Sequence, residues 1–110
     1  MYTHPQHKRG SRAAQLRKEG GAWLRQLREL RGLSQRQMAG ALDIEYYTFI
    51  SQIEAGRGRV PPERYEDWAR VLGVSPGHFV KQLISYYDPI TYRLLFEEGG
   101  LCQTRVEEPL

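Results

Sequence analysis

None of the reactive side chains in this chain stands in a catalytic or metal-binding pattern. His4 and His7 are separated by two residues, but no Asp, Glu or Cys lies near them to complete a metal site. Cys102 is the only cysteine, which excludes an internal disulfide and a zinc knuckle. The sequence has no glycine-rich phosphate loop, and short helices around a packed core leave little room for a catalytic pocket. We therefore expect no enzymatic activity, no metal and no cofactor.

Charge is distributed unevenly along the chain, whose net charge is +3. Residues 1–31 contain eight Lys or Arg and two Glu, whereas residues 86–110 contain two Arg and five acidic residues. A basic segment favours a polyanionic partner, and an acidic segment favours a different one. The alternative is that the basic residues form a solvated tail.

The length and composition indicate one small globular domain. With 110 residues and 40% hydrophobic side chains, the chain can build one modest core. Its apolar runs are too short to cross a bilayer, and its N-terminus has no apolar stretch typical of a signal peptide. We expect a cytoplasmic protein that does not contact a membrane.

Apolar residues recur every three or four positions and predict a set of short helices. The first helix is expected to begin at Ala22 and to end at Gly32, with Leu24, Leu27 and Leu30 along it. Residues 1–20 are expected to be a basic arm, in which Gly20-Gly21 ends a short helical turn.

Two helices are predicted on either side of a break at Asp43-Ile44. Ser34, followed three residues later by Gln37, forms a capping box that starts a helix over residues 35–42. The next helix is expected to run from about Glu45 to Glu54, and its inward-facing candidates are Phe49, Ile50 and Ile53.

Prolines mark the starts of the remaining helices, at Pro61-Pro62, Ser75-Pro76 and Asp88-Pro89. The last signal predicts a sixth helix over residues 90–98, although the β-prone Ile90-Thr91-Tyr92 leaves a strand as the alternative. The predicted architecture is all-α. It comprises a basic arm (1–20), a five-helix domain (21–85) and a C-terminal extension (86–110).

Several short motifs follow one another in residues 22–80. They are Leu27-x-x-Leu30-Arg31-Gly32-Leu33-Ser34-Gln35-x-x-Met38-Ala39, Ile50-Ser51-Gln52-Ile53-Glu54-x-Gly56, Pro61-Pro62, and the run from Trp68 to Ser75. In this order and spacing they resemble the Xre family, the helix-turn-helix fold of the phage lambda repressor and Cro proteins. The stretch from Leu42 to Ile53 is one residue longer than is usual there, and the extra residue falls in Asp43-Ile44-Glu45.

The resemblance implies that the third helix lies in the major groove of DNA with its first turns at the base edges. The residues that would face the bases are Tyr46, Tyr47, Thr48, Ser51 and Gln52. Gln52 would pair bidentately with adenine, and the hydroxyls of Thr48 and Ser51 would donate or accept at base edges. For either tyrosine, the alternative is a place in the core or in a dimer contact.

The resemblance also implies phosphate contacts around this helix. Gln35 would bind the DNA backbone at the start of the second helix, and Ser34 would join it through its own N–H. Arg36, Arg57 and Arg59 would contact phosphates as well, unless they are ordinary solvated charges. Family members often join the positions of Arg28 and Glu54 by a salt bridge. In the alternative, Arg28 faces solvent or DNA and Glu54 solvates a helix end.

A single helix-turn-helix buries too little surface for tight binding, so a dimer on a palindromic site is expected. The candidate interface residues, more apolar than a free tail needs, are Tyr87, Ile90, Leu94, Leu95 and Phe96. The alternative is that they cap the core of their own chain.

These inferences predict a sequence-specific regulator of transcription that acts as a repressor. Its expected partner is double-stranded DNA, and no small-molecule ligand is expected. A competing hypothesis is a protein-interaction module, antitoxin-like or polymerase-binding, on the same scaffold. A third is nonspecific nucleic-acid binding through the arm alone.

Overall fold

The computed structural model describes the backbone of residues 5–98 and the side chains of residues 12–98. Within this range the chain is all-α, with six helices and no strand. The helices are α1 (Pro5–Leu30), α2 (Gln35–Ala41), α3 (Thr48–Glu54), α4 (Tyr65–Leu72), α5 (Pro76–Tyr87) and α6 (Pro89–Tyr92). A 3₁₀ turn (Pro62–Arg64) precedes α4, and α6 continues as a π-helical segment (Arg93–Glu98).

The predicted all-α fold is therefore confirmed, and the strand considered for Ile90-Thr91-Tyr92 is wrong. Asp88 explains the helical outcome, because its side chain accepts a hydrogen bond from the backbone N–H of Thr91 and caps α6. Ser75 caps α5 in the same way, through the N–H of His78. No helix in the described part of the chain is long and apolar enough to cross a membrane.

One apolar core joins the first five helices. Its largest fully buried side chains are Trp68, Phe79, Leu24, Met38, Ile50, Ile53, Leu83 and Val60. Trp23 covers one side of this core, with its ring 5.7 Å from that of Phe79 and 5.9 Å from that of Tyr86. The three- and four-residue spacing of apolar positions along each helix places them on the face that meets the core.

Helix α1 corrects the prediction that Gly20-Gly21 ends a helical turn and that a new helix begins at Ala22. The helix passes through both glycines without a break. A Cβ at Gly20 would lie 2.9 Å from the Cβ of Tyr86 in α5. A Cβ at Gly21 would overlap the carbonyl oxygen of Glu54 at the end of α3. The glycines therefore allow close helix packing, a tertiary requirement that local sequence cannot distinguish from a helix stop.

The link between α2 and α3 begins with an unusual residue. Asp43 has a φ of 59°, in the left-handed region that favours glycine. Its N–H donates to the carbonyl of Gly40 (3.1 Å), and the N–H of Ile44 donates to the carbonyl of Ala39 (2.8 Å). These two bonds form a Schellman motif, which closes α2 and turns the chain toward α3.

Helix α3 begins later than predicted, at Thr48 instead of about Glu45. The Schellman motif and the residues that follow it occupy the extra length of the turn, and the carbonyl of Tyr47 accepts the N–H of Ile50 (2.9 Å). Phe49, which was expected to face inward, points outward and is exposed.

Candidate nucleic-acid interface

The inner face of α3 is fixed to the rest of the domain. Ile50 and Ile53 are fully buried in the core. Behind them, at the C-terminal end of the helix, Glu54 accepts two hydrogen bonds from Arg28, with Nε–Oε2 at 2.6 Å and Nη2–Oε1 at 2.9 Å. The structure thus brings together the two residues for which a salt bridge was predicted.

This ion pair links three helices. Arg28 of α1 also donates from Nη1 to the carbonyl oxygen of Leu33 (2.7 Å), which precedes α2. Gln35 of α2 donates from Nε2 to Glu54 Oε1 at 3.0 Å. Both charged side chains are less than a tenth exposed. The hydrogen bond to Glu54 raises the pKa of Arg28 above its ordinary value, and burial opposes it. The network therefore sets the angle between α2 and α3.

The outer face of α3 presents three exposed side chains: Thr48, Phe49 and Gln52. Ser51 is half-buried, and its hydroxyl donates to the carbonyl oxygen of Thr48 at 3.2 Å. Phe49, which was not among the predicted base contacts, is 42% exposed. No sequence signal indicated this exposure, because Phe49 lies four residues before the buried Ile53, and residues four apart share a face of a helix.

The two tyrosines lie in the turn before α3. Tyr46 is 67% exposed, while Tyr47 is less so and is the N-cap residue of α3. The guanidinium of Arg36 lies 4.5 Å from the centre of the Tyr47 ring, within the range of a cation–π contact. Both tyrosines are thus on the surface and outside the core, and Tyr47 brings the charge of Arg36 to the start of α3.

A second arginine lies at the other end of α3. Arg57 donates from Nε to the side-chain oxygen of Gln52 at 2.9 Å. Bidentate pairing of Gln52 with adenine would use the same oxygen as an acceptor. Arg57 takes one of the two lone pairs of this oxygen, and the Gln52 side chain as a whole is exposed.

Two of the remaining predicted phosphate contacts, Ser34 and Gln35, are already hydrogen-bonded within the protein. The N–H of Ser34 does not point to solvent as expected, because it donates to Gln37 Oε1 (2.8 Å) within the capping box. The side-chain NH₂ group of Gln35 donates to Glu54. Arg59 is exposed, and its guanidinium lies 4.7 Å from the centre of the Tyr87 ring. Arg36, Arg57 and Arg59 are therefore the predicted cations that remain on the surface.

The predicted dimer residues fall into two groups. Tyr87 packs against the core of its own chain, and its hydroxyl accepts the N–H of Val60 at 3.2 Å, so it corresponds to the capping alternative. Burial raises the pKa of the Tyr87 hydroxyl. Phe96 is half-buried against Tyr92, with ring centres 5.3 Å apart. Three apolar side chains remain exposed: Ile90 (62%), Leu94 (53%) and Leu95 (39%).

Other predictions concern parts of the chain that the structure leaves undescribed. His4 and His7 lie outside the residues with described side chains, and so does Cys102. In the described part, no group of three or more His, Cys, Asp or Glu side chains is arranged to hold a metal ion.

Comparison with known proteins gives one match. A family model described as a helix-turn-helix domain matches residues 19–79, more than half of the chain. The match extends from the middle of α1 to Phe79 in α5, and it leaves α6 and the first part of α1 outside. No curated protein and no solved structure matches the chain.

Proposed function

Because the chain belongs to the helix-turn-helix domain family, within the Xre and lambda-repressor-like group, we propose that it represses transcription by binding a palindromic operator. The domain indicates DNA binding and transcriptional regulation. The finer proposal is a cytoplasmic, sequence-specific, dimeric repressor that works without enzymatic activity or a small-molecule ligand. The proposed base contacts come from α3 and the turn before it, and the proposed phosphate contacts come from the surrounding residues.

One observation supports this proposal above the others: the exposed face of α3 has an arginine at each end. Arg36 stacks on Tyr47 at the start of the helix, and Arg57 is bonded to Gln52 in its last turn. A helix in the major groove runs between two phosphate backbones, which cations beside its ends can neutralise. The buried Arg28–Glu54 pair holds the helix in place without consuming these surface charges.

The proposed base contacts are Tyr46, Tyr47, Thr48, Ser51 and Gln52, to which the structure adds Phe49 as a candidate. Their groups differ in what they offer a base. The hydroxyl of Thr48 is exposed, whereas that of Ser51 already donates to a backbone carbonyl and is left mainly as an acceptor. The aromatic rings of Tyr46 and Phe49 offer apolar contact to a thymine methyl group.

A salt titration of DNA binding tests the proposal. Binding sites are first selected from random double-stranded DNA, and affinity is then measured by fluorescence anisotropy over a range of salt concentrations. We expect log affinity to fall steeply with log salt, by about 0.9 for each phosphate neutralised. The Arg36→Ala variant should lower this slope by about 1. As a control, Arg70→Ala should not change it, because Arg70 pairs with Asp67 on α4. Absence of DNA binding at low salt would reject the function.

We further propose that the extension over residues 86–110 forms the dimer interface. Ile90, Leu94 and Leu95 support this, because three exposed apolar side chains within six residues are costly on a free surface. Ile90 also borders a groove of about 510 Å³ between α6 and the Arg12–Leu16 part of α1. Two copies related by a two-fold axis would each bury the same patch. Light scattering at tens of micromolar protein tests this proposal, and a monomer mass would contradict it.

The competing function is a protein-interaction module. The exposed rings of Tyr46 and Phe49 favour it to a degree, since aromatic residues are enriched in the centres of protein interfaces. The salt titration separates the two functions. A protein-interaction module would retain its fold and its dimer or partner contacts, while showing no salt-dependent affinity for DNA.

A further inference from the structure

We propose that Gln52 and Arg57 act as one unit that selects guanine in the bound DNA. This inference rests on the proposed function and deepens it, because it names the base that the C-terminal turn of α3 recognises. It also replaces the expectations that Gln52 pairs with adenine and that Arg57 contacts a phosphate.

The backbone at the end of α3 places the two side chains together. Gly56 has a φ of 83°, and this left-handed residue folds the chain back over the last turn of the helix. As a result, the N–H of Arg57 donates to the backbone carbonyl of Gln52 at 2.9 Å. The two side chains are also hydrogen-bonded, because Arg57 Nε donates to Gln52 Oε1 at 2.9 Å. The helix end therefore brings the two residues close together, which allows their side chains to pair.

The neighbouring carboxylate does not compete for Arg57. Glu54 is fully occupied by Arg28 and Gln35 in the buried network. Among residues 12–98, the structure gives Arg57 no carboxylate partner within ion-pair distance, and both Arg57 and Gln52 are exposed. The guanidinium is thus held against an amide and keeps its full positive charge at the surface.

The paired side chains offer more hydrogen-bond donors than acceptors. Arg57 takes one of the two lone pairs of the Gln52 amide oxygen, and the NH₂ group of Gln52 remains free to donate. Arginine has no acceptor, and its Nη1 and Nη2 groups remain free to donate. In the major groove, guanine offers two acceptors, N7 and O6, whereas adenine offers N7 beside an N6 donor and cytosine offers an N4 donor. A surface dominated by donors matches the two acceptors of guanine better than adenine or cytosine, which present a donor, or thymine, which presents the single acceptor O4.

The first experiment identifies the base. Sites are selected from random DNA with the wild-type protein and with Gln52→Ala, and the position where preference relaxes in the variant is the one that Gln52 contacts. We expect guanine there. Replacing this guanine by 7-deazaguanine, which lacks N7, should weaken wild-type binding by about tenfold. Replacing it by inosine is the matched control, because inosine keeps both N7 and O6, and it should change affinity little.

The second experiment tests the role of Arg57. Arg57→Ala removes the arginine donors and leaves the whole amide oxygen of Gln52 available as an acceptor. The variant should therefore lose its guanine preference and bind adenine at this position at least as well. The ratio of its affinity for guanine to its affinity for adenine should fall by about tenfold or more. Arg59→Ala removes the same charge from the same loop without touching Gln52. It should weaken binding to all sequences alike and leave the base preference in place.

The outcomes distinguish the inference from the function on which it rests. DNA binding with adenine at the Gln52 position in the wild type, or an unchanged guanine preference in Arg57→Ala, would overturn the inference and leave the repressor proposal standing. Failure of the wild-type protein to bind any DNA at low salt would overturn both.

Discussion

Arg28 and Glu54 show how a single pair of side chains can orient a helix. Their contact is bidentate, nearly buried and joined by a third polar group from α2, the amide of Gln35. Pairs of this kind add little net stability compared with apolar side chains of the same size, but losing one partner leaves an uncompensated buried charge. The pair therefore acts chiefly by making other orientations of α3 unfavourable.

Replacing Arg28 by methionine tests this view. Arg28→Met leaves the Glu54 carboxylate without its cation, and we expect the free energy of unfolding to fall by about 3–5 kcal/mol, measured by urea denaturation. Arg25→Met is the matched control, because Arg25 pairs with Glu29 on the exposed side of α1 and its loss should cost less than about 1 kcal/mol. Equal losses in the two variants would show that the burial of the first pair is irrelevant.

Phe49 offers a second test, on the outer face of α3. Because its ring is exposed, Phe49→Ala should leave the free energy of unfolding within about 0.5 kcal/mol of the wild type. We expect it to weaken binding to the selected site and to abolish the advantage of thymine over deoxyuridine, which lacks the methyl group. The measurement is anisotropy with single thymine-to-deoxyuridine replacements across the site. If the Phe49 ring contacts no thymine, each replacement will change the affinity of wild type and variant by the same factor.

Helix ends account for much of what could be predicted from the sequence. The capping box of Ser34 and Gln37 and the caps at Ser75 and Asp88 depend on residues within three positions of each other, so local sequence is sufficient to find them. Gly20-Gly21 was misassigned because its role is set by Tyr86 and Glu54, which lie far along the chain. The start of α3 was misplaced because the turn before it is closed by Asp43 and not by glycine.

The turn after α2 gives a stability prediction. Asp43→Gly should raise the free energy of unfolding by up to about 1 kcal/mol, because glycine adopts the left-handed conformation without the steric cost paid by other residues. Asp43→Ala removes the same carboxylate but keeps the Cβ, and it should lower stability instead. Thermal denaturation of the two variants checks the signs. Stabilisation by both would mean that the charge at the end of α2, and not the backbone, is the source of the effect.

The crossing of α1 with α3 and α5 predicts opposite effects for two glycine substitutions. Gly21→Ala should destabilise the protein by about 3 kcal/mol, at the upper end of the cost of overpacking, because the new methyl group meets backbone atoms of Ile53 and Glu54. Gly40→Ala, on the open side of α2, meets no atom within 4 Å and should stabilise it by about 0.5–1 kcal/mol. Chemical denaturation measures both. Similar effects at the two positions would contradict close packing at Gly21.

The described part of the chain adds two features to the matched helix-turn-helix domain. The first part of α1 extends it on one side, and α6 with its π-helical continuation extends it on the other. The fold class was predictable because apolar periodicity and proline-started helices are local signals. The sequence could not show that Tyr87 packs against the core while Leu94 is exposed. Both residues stand in the same apolar run, and only the packing of α5 distinguishes them.

One prediction concerns the exposed apolar patch formed by Ile90, Leu94 and Leu95, which we propose as the dimer interface. Leu94→Glu should convert the dimer to a monomer, because it places a carboxylate in an apolar two-fold interface, where the same change occurs twice. Leu30→Glu is the control: Leu30 is also an exposed leucine, but on α1 outside the patch, and the variant should remain dimeric. Sedimentation equilibrium gives the masses. A wild-type monomer, or a dimer in both variants, would exclude this patch as the interface.

The positions of the two tryptophans have a practical consequence for such measurements. Trp68 is fully buried, and Trp23 packs against Phe79 and Tyr86, so both indoles lie in or against the core and neither belongs to α3. Their ultraviolet emission should shift to longer wavelength when the core opens to water, and should change little when a ligand occupies the outer face of α3. The protein thus carries a built-in optical reporter that follows unfolding separately from binding, without an added dye.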